Sequence, residues 1–264
     1  MGRATTAASG DRSLATGSSA APSPRTGRPA RSASSRASGA AAAANGARPR
    51  PSRSNGRKLF NHDRRLGARW VAGADEAGRG CLAGPLVAAA VLFDLERLTP
   101  RDVRALGRLN DSKQCTEECR EELYPIVMRT ATKVSVVTRC ARRIDTRGLH
   151  RTNLDALRES LARVARPGVM CLSDGFPLGR DFPWPLRAVV DGDTKSAAIA
   201  AASIVAKVTR DRYMRRADRE HPGWDFASHV GYSTPEHRDA IQRLGVSPLH
   251  RMSFQSLAYQ QLAL

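Results

Sequence analysis

The feature that most constrains this chain is the stretch from Trp70 to Phe93, in which two apolar runs flank a polar turn. The first run ends in two adjacent acids, Asp75 and Glu76, and a glycine-rich turn follows them. The second run, Leu86 to Phe93, begins after a Gly-Pro pair. Apolar runs bounded by glycine and proline predict two strands, Trp70 to Asp75 and Leu86 to Phe93, in a hairpin-like arrangement. Two carboxylates at the end of a buried strand need water, a cation or a metal beside them, and we expect a metal.

Further strand and helix patterns alternate along the rest of the chain. Thr116 is expected to cap a helix that Pro125 should kink or shorten. Strands interspersed with helices favour an α/β or α+β domain. The other predicted strands are Lys133 to Cys140, Val169 to Leu172 and Ala188 to Val190, and the other predicted helices are one with an apolar face from Leu154 to Val164, a long one from Ala197 to about Arg219, and one from Pro235.

The chain is strongly basic, and the excess is concentrated near its start. The formal net charge is +18 over 264 residues, which suits a polyanionic partner such as nucleic acid. Residues 1–58 hold ten arginines and one lysine against a single acid, Asp11. Residues 1–56 contain almost no large apolar side chain, so we predict a disordered tail followed by a domain over 57–264. The tail is an arginine-rich tether, a solvated extension or the result of a start codon assigned too early, and composition gives little support for the tether.

The apolar runs, the cysteines and the heptad pattern disfavour several classes of protein. No apolar run approaches the roughly 18 residues of a membrane helix, and no apolar segment follows the first charges as in a secretory signal. The five cysteines are odd in number and include no C-x-x-C pair, so we expect reduced thiols and a cytoplasmic protein. No coiled-coil heptads occur, and we expect a monomer.

Acids follow three of the predicted strands. They are the Asp75-Glu76 pair, Asp174 and Asp193. Ligand sets made only of oxygen select Mg²⁺ or Mn²⁺, and two such ions can activate a water and stabilise the leaving oxygen of a phosphodiester. Asp-Gly is also a common turn pair, and for Asp174 or Asp193 alone a turn role is favoured. Asp191 competes with Asp193, because side chains two apart on an extended strand share a face.

Four separate motifs follow one another along the body of the chain. They are DEAGRG at 75–80 with LAGP at 82–85, NDSK at 110–113, AASIVAKV at 201–208 with Arg210 and Asp211, and Gly231-Tyr232 with His237. Together they closely resemble bacterial ribonuclease HII over roughly residues 68–255. The resemblance implies a ribonuclease-H-like mixed β-sheet flanked by helices, with a C-terminal helical extension from about 235. It also implies an endonuclease that hydrolyses the RNA strand of RNA/DNA hybrids and nicks 5′ to ribonucleotides embedded in duplex DNA, leaving a 3′-hydroxyl and a 5′-phosphate.

The resemblance also assigns roles to individual residues. Its catalytic, metal-binding tetrad corresponds to Asp75, Glu76, Asp174 and Asp193, which would bind two Mn²⁺ or Mg²⁺ ions. Its glycine turn would sense the ribose 2′-hydroxyl, which is consistent with the close approach that only glycine permits. The substrate-binding set implied for hybrids and ribonucleotide-containing DNA is Gly78, Arg79, Gly80, Lys113, Ser203, Lys207 and Tyr232, with Tyr232 packing on the adjoining deoxyribose and Arg79, Lys113 and Lys207 meeting phosphates.

Three departures and two rival functions limit this transfer. Asp191 competes with Asp193 as a ligand, although the resemblance favours Asp193. Cys81 stands where many relatives have proline, and Ser173 stands where valine is usual. A different ribonuclease-H-like nuclease, such as a resolvase or transposase, would cut DNA without ribonucleotides. A basic architectural protein without catalysis would bind through its tail and would not need the carboxylates.

Two further groups have structural interpretations. His237 and His250 are expected to be hydrogen-bonded structural residues rather than general bases. Arg210 and Asp211 are expected to form a structural pair or a capping network.

Overall fold

The computed structural model describes residues 55–109, 115–256 and 259. The predicted tail lies outside these residues except for its last two positions, and so does Lys113. Asn55 and Gly56 do not belong to a tail, because they begin the helix α1, Asn55–Arg64. Gly56 lies against the backbone of Leu106 so closely that a Cβ atom would overlap the Leu106 carbonyl. Composition set the boundary at 56, and composition carries no information about a backbone contact of this kind.

Within the described residues, five strands form one mixed sheet. They are β1 (Trp70–Ala77), β2 (Leu86–Asp94), β3 (Lys133–Arg139), β4 (Val169–Asp174) and β5 (Leu186–Val189). Their order across the sheet is β3-β2-β1-β4-β5. The first three strands are antiparallel neighbours, whereas β4 pairs in parallel with both β1 and β5. The carboxyl ends of β1, β4 and β5 therefore lie at the same edge of the sheet, where ligands bind in many α/β folds.

Helices cover both faces of this sheet. Besides α1 they are α2 (Pro100–Ala105), α3 (Glu117–Thr130), α4 (Ala141–Arg147), α5 (Leu149–Val164), α6 (Ala197–Glu220), α7 (Phe226–His229) and α8 (Pro235–Leu244), with a 3₁₀ turn at Gly192–Thr194. None of the described helices combines the length and the apolar character needed to cross a membrane.

The central strands alternate their side chains between two apolar layers. Val71 of β1 belongs to the layer that contains the start of α6, and its neighbour Ala72 belongs to the layer that contains Leu157 of α5. This alternation follows from the two-residue period of a strand. Gly73 lies against the backbone of α6, where a Cβ atom would overlap Ala198. The close approach brings α6 alongside β1, so residues further along α6 reach the edge where β1 ends.

Most of the predicted elements are confirmed, but the shortening expected as one of two effects of Pro125 does not occur. The helix capped by Thr116 is not shortened at Pro125 but continues to Thr130. Burial of Leu123 and Val127 on either side of Pro125 stabilises the helix and offsets the backbone hydrogen bond that proline cannot donate. The strand predicted at Ala188 to Val190 is β5, which begins two residues earlier and ends at Val189. The sequence analysis missed α1 and the short helices α2, α4 and α7.

Candidate active site

A cavity of about 260 Å³ lies at the sheet edge where β1 and β4 end. It brings together nine of the residues that the sequence analysis selected and adds Ala77, Gly175 and Phe176. The lining residues are Asp75, Glu76, Ala77, Gly78, Arg79, Gly80, Asp174, Gly175, Phe176, Ser203, Lys207 and Tyr232. Larger cavities of about 420, 380 and 360 Å³ lie elsewhere, but the described residues that line each of them include at most two carboxylates, which lie among arginines. Chemistry, rather than size, therefore selects the smaller cavity.

Three carboxylates converge in this cavity from two neighbouring strands. Asp75 and Glu76 lie near the end of β1, and Asp174 is the last residue of β4. The two strands pair in parallel up to Ala74 and Ser173, which places their acids side by side. Asp75 is only 7% exposed, and its Oδ1 accepts a hydrogen bond from the Glu76 backbone N–H at 2.7 Å.

The electrostatics of Asp75 fit a cation. Burial, followed by the charges of Glu76 and Asp174, raises the pKa of Asp75 to about 8, while a hydrogen bond with Ser203 opposes that rise. A divalent ion among these oxygens would remove the repulsion, and oxygen-only sets suit Mg²⁺ and Mn²⁺. Within the described chain, no three His, Cys, Asp or Glu side chains are gathered closely enough to form a finished metal cage. Asp75, Glu76 and Asp174 are thus arranged around a cavity rather than around a closed ligand shell.

Asp193 reaches this region through a turn rather than a strand. It lies in the 3₁₀ turn Gly192–Thr194 and is buried, although it is not among the described residues that line the cavity. The backbone N–H of Gly192 donates to Oδ1 of Asp174 at 2.7 Å, which ties the turn to the end of β4. Asp191 is exposed and adopts a left-handed conformation with φ 51°. The expected shared face of Asp191 and Asp193 was wrong, because the residues between them are not extended.

The glycine turn leaves β1 with Gly78 in a left-handed conformation, φ 92°. A Cβ atom on Gly78 would also overlap the Arg210 side chain, whereas one on Gly80 would meet nothing within 4 Å. Arg79 lies between these glycines. Its Nη1 is 3.6 Å from Oε1 of Glu76, and its Cζ is 4.7 Å from the centroid of the Phe176 ring.

A buried arginine, Arg210, supports this turn from α6. Its guanidinium donates to the backbone carbonyls of Pro85 at 2.9 Å, Val230 at 2.8 Å and Ala83 at 3.0 Å. These acceptors compensate the buried charge without a carboxylate. The expected structural role is confirmed, but Arg210 is not paired with Asp211.

A second buried arginine, Arg251, was missed by the sequence analysis. It donates to the carbonyl of Gly84 at 2.8 Å and to that of Arg79 at 3.0 Å. Burial, together with the nearby charge of Arg210, lowers the pKa of Arg251 to about 10. Its partners are more than 160 positions away along the chain, so no local pattern could have identified them.

Lys207 and Tyr232 also line the cavity. Lys207 Nζ donates to both carboxylate oxygens of Asp211, at 2.6 and 2.8 Å, and lies 6.0 Å from the centroid of the Tyr232 ring. Asp211 also lies 3.8 Å from Nη2 of Arg120 on α3. Tyr232 as a whole residue is 44% exposed, so a ligand in the cavity can reach it. Burial of the remainder raises the pKa of its hydroxyl.

The two histidines form a buried network behind Tyr232. His237 Nδ1 lies 2.8 Å from the Tyr232 carbonyl, and His237 Nε2 lies 3.1 Å from His250 Nε2. His250 Nδ1 accepts from the Ser247 backbone N–H at 2.8 Å, so its Nε2 carries the proton that is donated to His237. Burial lowers the pKa of each histidine to about 4. Both are structural, as expected, and both are neutral.

Comparisons with known proteins agree with the motifs. Residues 72–257 match the family model for ribonuclease HII. A ribonuclease HII from Rhizobium leguminosarum bv. trifolii is 48% identical over 194 residues, which are 73% of this chain and 81% of that relative.

The fold is likewise similar to solved structures. The ribonuclease H2 of Pyrococcus horikoshii matches with a TM-score of 0.62 at 25% identity, covering 73% of this chain and 96% of that one. The expected ribonuclease-H-like mixed sheet is thereby confirmed. The structure of Bst-RNase HIII in complex with Mn²⁺ matches with a TM-score of 0.60 at 20% identity, covering 76% of this chain and 72% of that one, and supports the fold alone.

Proposed function

Since the chain belongs to the ribonuclease HII family and is therefore a metal-dependent endoribonuclease, we propose that it hydrolyses the RNA strand of RNA/DNA hybrids and nicks duplex DNA 5′ to embedded ribonucleotides. The products are a 3′-hydroxyl and a 5′-phosphate. Membership of this family removes the non-catalytic architectural alternative.

One observation carries this proposal. Asp75 is buried beside the charges of Glu76 and Asp174, in the same cavity as the glycine turn and Tyr232. Buried like charges are destabilising unless a cation compensates them. The cavity therefore combines a place for cations with groups suited to a sugar and a phosphate.

The tetrad would hold the metal. Asp75, Glu76 and Asp174, joined by Asp193 from the turn tied to β4, offer only carboxylate oxygens, which suits two Mn²⁺ or Mg²⁺ ions. When bound, such ions supply an activated water and stabilise the charge that develops on the leaving oxygen. The four side chains orient the ions, and Ser203 hydrogen-bonds with Asp75 and orients that carboxylate.

The remaining residues select and hold the substrate. Gly80 has open space around its α-carbon, which allows its backbone to approach a ribose 2′-hydroxyl. Tyr232 offers an exposed ring to the adjoining deoxyribose, and Lys207 and Arg79 offer positive charge to phosphates. Lys113 has the same proposed role, although it lies outside the described residues.

A single gel tests this function. The full chain is incubated with Mn²⁺ or Mg²⁺ and a labelled duplex that contains one ribonucleotide, beside an all-DNA duplex of the same sequence. We expect one nick 5′ to the ribonucleotide and no cutting of the control. Cutting of both duplexes would instead support a resolvase-like nuclease, and cutting in excess EDTA would contradict the metal assignment.

A further inference from the structure

Phe176 lies on the loop that follows β4 and lines the same cavity as Glu76 and the glycine turn. Both the N–H and the carbonyl of the Phe176 backbone form hydrogen bonds with β4. The Phe176 N–H donates to the Asp174 carbonyl at 2.7 Å, and Ser173 Oγ donates to the Phe176 carbonyl. The His150 ring meets the Phe176 ring edge-on, with the centroids 5.8 Å apart. The Phe176 ring is therefore held in place by hydrogen bonds between its backbone and the end of β4, and by contact with His150 on α5.

Arg79 packs on this ring with its charged end. Its Cζ is 4.7 Å from the ring centroid, and its Nη1 is 3.6 Å from Oε1 of Glu76. Its Nε is buried and has no hydrogen-bond acceptor within the described part of the chain. The electron-rich face of an aromatic ring attracts a guanidinium without requiring an acceptor atom. Phe176 therefore supplies an attraction to Arg79 that the neighbouring polar groups do not provide.

On the basis of the proposed function, which this inference deepens, we propose that Phe176 is a positioning residue that holds Arg79 in the orientation in which it contacts the substrate. The contact joins two chain segments that separate after the paired residues Ala74 of β1 and Ser173 of β4. One segment becomes the glycine turn, and the other becomes the loop that carries Phe176. Their connection fixes the Arg79 guanidinium relative to both strand ends that carry the acids.

Loss of the ring would release the Arg79 side chain without releasing the turn. The Arg79 carbonyl accepts from Nη1 of Arg251 at 3.0 Å, independently of Phe176. The backbone at the ends of β1 and β4, which carries the acidic residues, should also stay in place, because the pairing of the two strands does not involve the Phe176 ring. Substrate binding should therefore weaken, while the chemical step at saturating substrate changes little.

The first test compares Phe176→Leu with Phe176→Tyr on the duplex containing one ribonucleotide. Leucine removes the aromatic face and keeps apolar bulk, so KM should rise about tenfold with kcat changed less than about threefold. Tyrosine keeps the face, and KM should stay within about twofold of the unsubstituted protein. The matched control is Phe182→Leu, because the Arg158 Cζ lies 5.6 Å from the centroid of the Phe182 ring, away from the cavity. That control should leave KM and kcat unchanged.

The second test asks whether Phe176 acts through Arg79. In a double-mutant cycle, Phe176→Leu should raise KM far less in an Arg79→Ala background than in the unsubstituted protein. Independent, additive effects would overturn the inference. The Nε–H resonance of Arg79 gives a readout without catalysis: the aromatic ring should shift it upfield, and Phe176→Leu should abolish that shift.

These experiments distinguish a failure of the proposed function from a failure of the role proposed for Phe176. If the unsubstituted protein does not cut the ribonucleotide-containing duplex, the proposed function fails, and the resonance of Arg79 still tests its contact with Phe176. If it cuts, and Phe176→Leu has an unchanged KM or loses kcat alone, this inference fails by itself.

Discussion

The backbone N–H of Gly192 donates to Oδ1 of Asp174 at 2.7 Å, which joins the turn after β5 to the last residue of β4. Through this hydrogen bond the position of Asp174 depends on a turn that also contains Asp193. Side chains around Gly192 leave little room, since a Cβ atom there would overlap Ile199. Asp193 is therefore positioned by a turn rather than by a strand, and the same turn holds the carboxylate of Asp174 at the end of β4.

This geometry predicts different outcomes for the two neighbouring acids. Asp193→Asn should lower cleavage by about 100-fold, because it removes a buried carboxylate from the turn that is hydrogen-bonded to Asp174. Asp191→Asn should cut nearly as fast as the unsubstituted protein, because Asp191 is exposed. Initial rates on a labelled hybrid at saturating Mn²⁺ compare the two variants. The reverse ranking would transfer the ligand role to Asp191.

Asp75→Asn should abolish cleavage but stabilise the metal-free protein. The pKa of Asp75 is about 8 in the folded chain and about 3.8 in the unfolded chain, so the folded state binds more protons between these values. The stability of the metal-free protein therefore falls as pH rises from about 4 to 8, and asparagine removes this loss. In EDTA, the melting temperature of the variant should exceed that of the unsubstituted protein by more at pH 8 than at pH 5.

Metal addition supplies the control for that prediction. Mn²⁺ should raise the melting temperature of the unsubstituted protein and lower its dependence on pH, because the ion compensates the carboxylates. The asparagine variant should respond much less, and it should still bind an RNA/DNA hybrid in a gel-shift assay. Equal melting curves for the two proteins in EDTA at pH 8 would contradict the repulsion among these acids.

The two glycines of the turn should separate folding from recognition. Gly78→Ala should destabilise the protein by about 2 kcal/mol or more, since it combines a positive φ with an overlap on Arg210. Gly80→Ala should leave stability within about 0.5 kcal/mol, because nothing lies within 4 Å of the added atom. Its KM for a single-ribonucleotide duplex should nevertheless rise. Urea unfolding and steady-state kinetics on both variants measure the two effects.

How far the sequence predicts this molecule depends on how local each signal is. Asp75 and Glu76 could be found because a strand, two acids and a glycine turn stand within a few residues. Arg251 could not, because its partners at positions 79 and 84 become neighbours only in the folded chain. Phe176 could not be found either, since its proposed role depends on a contact with Arg79 on another chain segment.

The expectation that Asp191 and Asp193 share a face was wrong for a physical reason as well. Alternation along a strand is a sound rule only where the chain is extended. β5 ends at Val189, and Asp191 adopts a left-handed conformation before the 3₁₀ turn. An Asp-Gly pair is typical of turns, and this signal should have outweighed the apolar run before it.

Tyr232 should contribute recognition rather than stability. Tyr232→Ala should raise KM for a duplex with a single ribonucleotide by about tenfold and change KM for a long hybrid less, because the ring is proposed to pack on a deoxyribose beside the ribonucleotide. Tyr232→Phe keeps the ring and should retain most of the preference. The ratio of kcat/KM on the two substrates is the measurement. A ratio that alanine leaves unchanged would remove Tyr232 from the recognition set.

The network of His237 and His250 should make the protein sensitive to mild acid. Both have pKa values of about 4 when folded and about 6.5 when unfolded, so the unfolded state binds more protons between these values. Their contribution to stability is complete above about pH 6.5 and is lost as pH falls towards 4. Protonation of His237 would also add a second N–H to the Nε2···Nε2 contact, where only one proton fits, and protonation of His250 would place an N–H at Nδ1 against the Ser247 N–H.

His250→Asn tests this directly, because the asparagine Oδ1 can still accept the Ser247 N–H that His250 Nδ1 accepts. Between pH 7 and pH 5 the unsubstituted protein should lose more unfolding free energy than the variant, by on the order of 2 kcal/mol. Only the difference between the two proteins is informative, since Asp75 acts with the opposite sign over the same range. If urea unfolding gives both proteins the same pH slope, His250 is not kept neutral by the fold.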